Sequence, residues 1–152
     1  MKELIDAARI GDIITLANSL HEGADVNFRT EQGFTLLIIA SYNDQLEAAE
    51  ILLKAGADVN GRDNGGNTAL MGVCFKGYAD IATLLLKYGA DVNARHSNGG
   101  TALMFACIFG RIDLVKLLLS AGADKMILDD KGLLAVDHAG IQRNLEIIEL
   151  LA

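Results

Sequence analysis

The sequence has no proline. Chain breaks therefore fall to its 16 glycines. Positive charge is also scarce: 13 basic residues stand against 20 acidic ones, for a net charge of −7 and a pI of about 4.8. A duplex nucleic acid is bound by displacing its counterions with a cationic surface, and this composition lacks one. No apolar run reaches the length of a membrane span, the longest lying around Phe34 to Tyr42. The start, Met1-Lys2-Glu3-Leu4, has an acid within it and no stretch like a signal peptide. The only two cysteines, Cys74 and Cys107, are read as small buried thiols suited to a reducing compartment. The expectations are a cytoplasmic protein, monomeric by itself, with neither nucleic acid nor membrane as partner.

One phrase recurs. Gly23-Ala24-Asp25-Val26-Asn27 returns as Gly56-Ala57-Asp58-Val59-Asn60 and as Gly89-Ala90-Asp91-Val92-Asn93, and a degraded copy stands at Gly122-Ala123-Asp124-Lys125. Each copy begins 33 residues after the one before it, a period typical of helical repeats. In such an array there is no central core, and each unit buries its faces only against its neighbours. Apolar residues make up 51% of the chain, ample for that. Cys74 and Cys107 obey the same period, so they occupy equivalent slots in successive layers. Stacked helices stand about 8–10 Å apart, too far for a disulfide.

Within each period the pattern predicts two helices and a turn. Thr35, Thr68 and Thr101 precede short apolar stretches and suit the N-cap position. The first helix buries Leu37, Ala40 and Ser41, then Leu70, Val73 and Cys74, then Leu103, Ala106 and Cys107, at i, i+3, i+4 spacing. A break follows at Gly77 or Gly110, with Asp44 in the second copy. The second helix opens with an acid (Glu47, Asp80, Asp113, Glu146) and carries a base near its end (Lys54, Lys87, Lys116), both favourable to the helix dipole. Gly56, Gly89 and Gly122 suit a left-handed stop, and the Asn-, Asp- and Gly-rich stretch 58–66 reads as a turn or extended finger. Thr15, Asn18 and Ser19 give the first copy the polar outer face of a terminal repeat. In the last copy Leu134 stands where the capping threonine was, and Ile147, Ile148, Leu150 and Leu151 leave an apolar end.

No constellation for chemistry emerges. His21, His96 and His138 fall in unmatched columns, so they imply no shared metal site. Neither cysteine has an activating histidine beside it. Asp129-Asp130 lacks the further oxygens of a calcium loop, and Gly65-Gly66 and Gly99-Gly100 lack the lysine of a phosphate loop. The expectation is a protein without catalytic residues, metal or cofactor.

The repeated stretches Gly33-Phe34-Thr35-Leu36-Leu37-Ile38-Ile39-Ala40, Gly66 to Val73 and Gly99 to Ala106, with Gly110 through Val115, Leu118 and Leu119 to Asp124, resemble the ankyrin repeat over essentially the whole chain. The resemblance implies an all-α fold: one domain over 1–152, a solenoid of stacked helix-turn-helix units with β-turn finger loops. Its approximate units are 1–32, 33–65, 66–98, 99–131 and 132–152. The family's proline is replaced by Leu36, Ala69, Ala102 and Ala135. Its loop-tying histidine is replaced by Ile38, Met71, Met104 and Asp137, so apolar packing is expected to replace that tie. The resemblance further implies a scaffold that binds a partner protein through its concave face and fingers. An alternative is a structural or regulatory piece of a larger assembly that makes contact through its apolar last repeat. On the first reading the candidate contact residues are Arg29, Arg62 and Arg95 in one finger column, with Phe34, Tyr42, Phe75, Lys76, Ile108 and Phe109 along the first helices. Arginine and aromatics dominate interface hot spots. Two structural roles compete with binding: the aromatics can tuck between layers, and the arginines can bond carbonyls of adjacent fingers or pair with Asp63 and Glu31.

Overall fold

In the computed structural model, which describes all residues 1–152, ten helices form five antiparallel pairs. They are α1 (Lys2–Ile10) with α2 (Ile13–His21), α3 (Leu36–Tyr42) with α4 (Leu46–Lys54), and α5 (Ala69–Lys76) with α6 (Ala79–Lys87). The last two pairs are α7 (Ala102–Ile108) with α8 (Ile112–Ser120), and α9 (Ala135–Ile141) with α10 (Leu145–Leu151). The first helices pack in series as one layer, α1 to α9, and the second helices as another, α2 to α10. The fingers contain no strand, only an isolated antiparallel bridge between Arg29 and Thr35.

Three of the five first helices, α3, α5 and α7, begin after a threonine. Thr35, Thr68 and Thr101 hold extended backbone, and their hydroxyls accept from the N–H groups of Ile38, Met71 and Met104 at 3.0, 3.3 and 3.3 Å. A cap of this kind contributes about 1 kcal/mol. Leu134 has no such oxygen, and the reciprocal bond takes over: the Asp137 carboxylate accepts from the Leu134 N–H at 2.8 Å. The break after the first helix requires left-handed backbone at Gly11, Gly77 and Gly110, and also at Asp44 and Arg143, with φ of 59° and 55°. The last turn of α8 lacks the expected base, because Lys116 lies at its middle.

The predicted stripe is the core. Leu37, Ala40, Ser41, Leu70, Val73, Cys74, Leu103, Ala106 and Cys107 are all buried. Ala8, Ser41, Cys74 and Cys107 hold the same slot in four successive layers. Burial pushes both free thiols up to about 12, with the neighbouring Cys107 adding to the effect on Cys74. The polar outer face of the first repeat is interrupted: Asn18 is exposed, but so are Ile10 and Ile14. In the last repeat Ile147 and Leu151 are buried, while Ile141 and Leu145 are 64% and 72% exposed.

The layers are also tied by hydrogen bonds that repeat with the period, which corrects the expectation that apolar packing alone replaces the missing histidine tie. The side-chain oxygens of Asn27, Asn60 and Asn93 accept from the N–H of Asp58, Asp91 and Asp124 at 2.8, 2.7 and 2.8 Å. The guanidinium groups of Arg29, Arg62 and Arg95 donate to the carbonyls of Arg62, Arg95 and Leu128. Further along the fingers, the Asn64 amide donates to the Glu31 carbonyl and the Ser97 hydroxyl to that of Gly65. Ile38, Met71 and Met104 are buried beneath these ties. The last finger is held differently. Asp129 accepts from the N–H groups of Lys131 and Leu133, and His138 Nε2 on α9 donates to its second oxygen at 2.7 Å.

The Ser41 hydroxyl is buried without a hydrogen-bond partner, a state that costs about 1–3 kcal/mol. Ser41→Ala should therefore raise stability by about 1 kcal/mol, read as a shift of the urea midpoint at unchanged slope. The bond from the Leu133 N–H, with help from His138, holds the Asp129 carboxyl below the usual carboxylate range. A depressed folded value contributes stability that is complete above the unfolded value, about 3.9, and is lost as pH falls through the folded one. Asp129→Asn keeps an acceptor for the backbone but removes the charge. It should melt below the wild type at neutral pH, and the gap should close below about pH 4.

A candidate protein-binding groove

The first helices present a second stripe beside the buried one, and it faces the fingers. Between them lies a groove of about 890 Å³. Its apolar wall is built from Phe34 on one finger, Tyr42 at the end of α3, Phe75 at the end of α5, and Phe105 and Phe109 on and just beyond α7. These rings touch. Tyr42 and Phe75 stack with centroids 6.1 Å apart and planes 8° apart, and Phe75 meets Phe109 edge-on at 4.6 Å. Phe105 in turn meets His96 edge-on at 5.7 Å. Aromatic pairs in such geometries contribute about 0.5–1.5 kcal/mol beyond area burial, so the wall is preformed. Phe34, Tyr42, Phe75 and Phe109 nonetheless keep between 38% and 42% of their surface exposed. Phe75 is therefore not sealed between layers.

The candidates fall into three groups. Phe34, Tyr42, Phe75 and Phe109 line one groove, and Lys76 joins them with its ammonium 4.9 Å from the Tyr42 ring centre. Ile108 is half-buried and does not line it; the strip leaves its column after Phe75 and continues through Phe109. Arg29, Arg62 and Arg95 are exposed and in register, but each uses a donor on the next finger, and none pairs with Asp63 or Glu31. Asp63 instead accepts from the N–H groups of Gly65 and Asn67.

Among the groove residues absent from the sequence candidates are Gly72 and Phe105. They share a column with Ile39, so each is visible once positions are compared across repeats. Also absent is Arg111, whose guanidinium donates to the Phe75 carbonyl through two nitrogens at 3.2 and 2.9 Å and so fixes the end of α5.

No group of three or more His, Cys, Asp or Glu side chains converges anywhere in the chain. No helix is long and apolar enough to cross a membrane. Asp63 is the one carboxylate lining the groove, and its oxygens hold the finger turn.

Comparison with known proteins agrees with the repeat architecture. Residues 4–96 match a family model described as ankyrin repeats in three copies, and residues 85–139 match a second, ankyrin repeats in many copies. No curated protein matches the chain in sequence. Ankyrin repeats are in general protein–protein interaction modules, typically without catalytic activity. With the threonine-capped helix pairs, the glycine stops and the 33-residue step of its side-chain ladders, the chain belongs to the ankyrin repeat family.

Proposed function

We propose that this chain is a non-catalytic scaffold that binds a partner protein in the groove between its first helices and its fingers. The observation that carries this reading is the row of four partly exposed rings along one wall. Burying an aromatic side chain against a partner is a dominant source of binding energy. A contiguous apolar patch with polar residues around it is the usual mark of an interaction surface. Here the polar rim is Gln32 and Asn67 on the finger side and Asn43 and Lys76 on the helix side. The arginines contribute indirectly. By tying finger to finger they hold that rim in place, which lowers the ordering cost of association.

A second reading has its own observation. Met126, Leu128, Ile141 and Leu145 are all more than half exposed, and they cluster in sequence around the last repeat. On this reading the chain is a structural or regulatory part of a larger assembly that covers that end.

Phe75→Ala separates the two. Phe75 is at the centre of the ring cluster yet 38% exposed, so its loss should cost binding more than stability. A partner captured from the native lysate and produced pure should bind the variant at least tenfold more weakly by calorimetry, as loss of a hot spot of 1.4 kcal/mol or more requires. Undiminished affinity in a folded variant would overturn the groove. Arg62→Ala is a poorer test, since it also cuts a tie between fingers. Light scattering addresses the second reading. Concentration-dependent association of the isolated chain supports an uncovered end, and a monodisperse monomer speaks against it.

A further inference from the structure

Gly72 occupies the middle of α5, a position where glycine weakens a helix. Nothing in the backbone asks for it. Its φ is not in the left-handed region, and a Cβ there would meet only the Tyr42 ring, at 3.4 Å, an ordinary contact. Adjacent layers fill the same slot with Ile39 and Phe105. The missing side chain therefore leaves a notch in the wall that Ile39, Tyr42, Phe75 and Phe105 also line.

Two cations stand at the helix end of the groove, against residues of its wall. The chain is acidic overall, yet Lys76 hangs over the Tyr42 ring and Arg111 lies against the Phe75 carbonyl, and neither has a carboxylate partner. Arg9 also lines the groove, paired with Asp6. Asp63, the lining carboxylate, is already engaged by backbone N–H groups and the Asn67 amide.

Resting on the groove reading above, we propose that the notch over Gly72 is an anchor pocket for one bulky apolar side chain, carried by an acidic segment of the partner protein. The apolar side chain fills the space that the missing Cβ leaves between the rings. The flanking Asp or Glu residues meet Lys76 and Arg111. Complementary charge of this kind selects partners and speeds encounter more than it deepens affinity. The anchor carries the affinity and the basic rim the choice of partner.

The probe is a displayed library of short random peptides, selected on the wild-type chain. Selected peptides should carry one Leu, Ile, Met, Phe or Trp beside Asp or Glu. Labelled copies followed by fluorescence anisotropy should bind Gly72→Leu roughly tenfold more weakly or worse, because the pocket is filled. Gly72→Ala, which adds a single methyl in ordinary contact, should fold at least as stably as wild type and still bind more weakly. Lys76→Glu should weaken the same peptides, most at low salt. Peptides that need Phe75 but bind Gly72→Leu equally well, or that are rich in Lys and Arg, would overturn the anchor and leave the groove reading standing. Recovery of no Phe75-dependent peptide would sink both.

Discussion

Register between layers governs this molecule. A helix pair of this size cannot bury its own apolar stripe, so each unit depends on the next being placed one repeat further along and in phase. Burial supplies most of the attraction, but burial is non-directional. The phase comes from bonds that can be made only at one offset: Asn27 to Asp58, Asn60 to Asp91, Asn93 to Asp124, and the arginines to the following finger. Slip by a residue would leave several donors and acceptors unmatched at once. Each tie is modest alone, about 0.5–1.5 kcal/mol net, and their common offset is what makes them a gauge for the stack.

Much of this was legible from the residues. The period, the capping threonines, the buried stripe and the glycine stops are local features, and local features survive the passage from sequence to structure. What escaped depends on contacts across layers. Ile38, Met71 and Met104 show that the family's tie is gone, and bonds from Arg29, Arg62 and Arg95 to neighbouring carbonyls were one role open to them, but nothing local says that these bonds are made in place of contact with a partner. Asp129 and His138 are nine positions apart, and only the fold of the last finger onto α9 brings them to 2.7 Å. Column reasoning put Ile108 in line with Tyr42 and Phe75, because it assumes that equivalent slots carry equivalent contacts. Phe109 breaks that assumption: it lies one residue further along, beyond the helix end, and its ring takes the edge of Phe75 instead.

The groove follows from the same stacking. One stripe of each first helix is taken by the core, so the adjacent stripe must face the fingers. Successive layers set those stripes side by side, and one or two exposed rings per repeat become a wall. The wall belongs to no single repeat, and a change within any one layer alters a surface that three of them share.

Cys74 and Cys107 carry one more implication. They sit in neighbouring layers at the same slot, wholly buried, with thiols that stay protonated far above neutrality. A thiol-modifying reagent meets a reactive thiolate there only after a seam between layers has parted. The protein thus contains two native clocks in adjacent layers, whose labelling rates would time the opening of the stack there without any foreign probe.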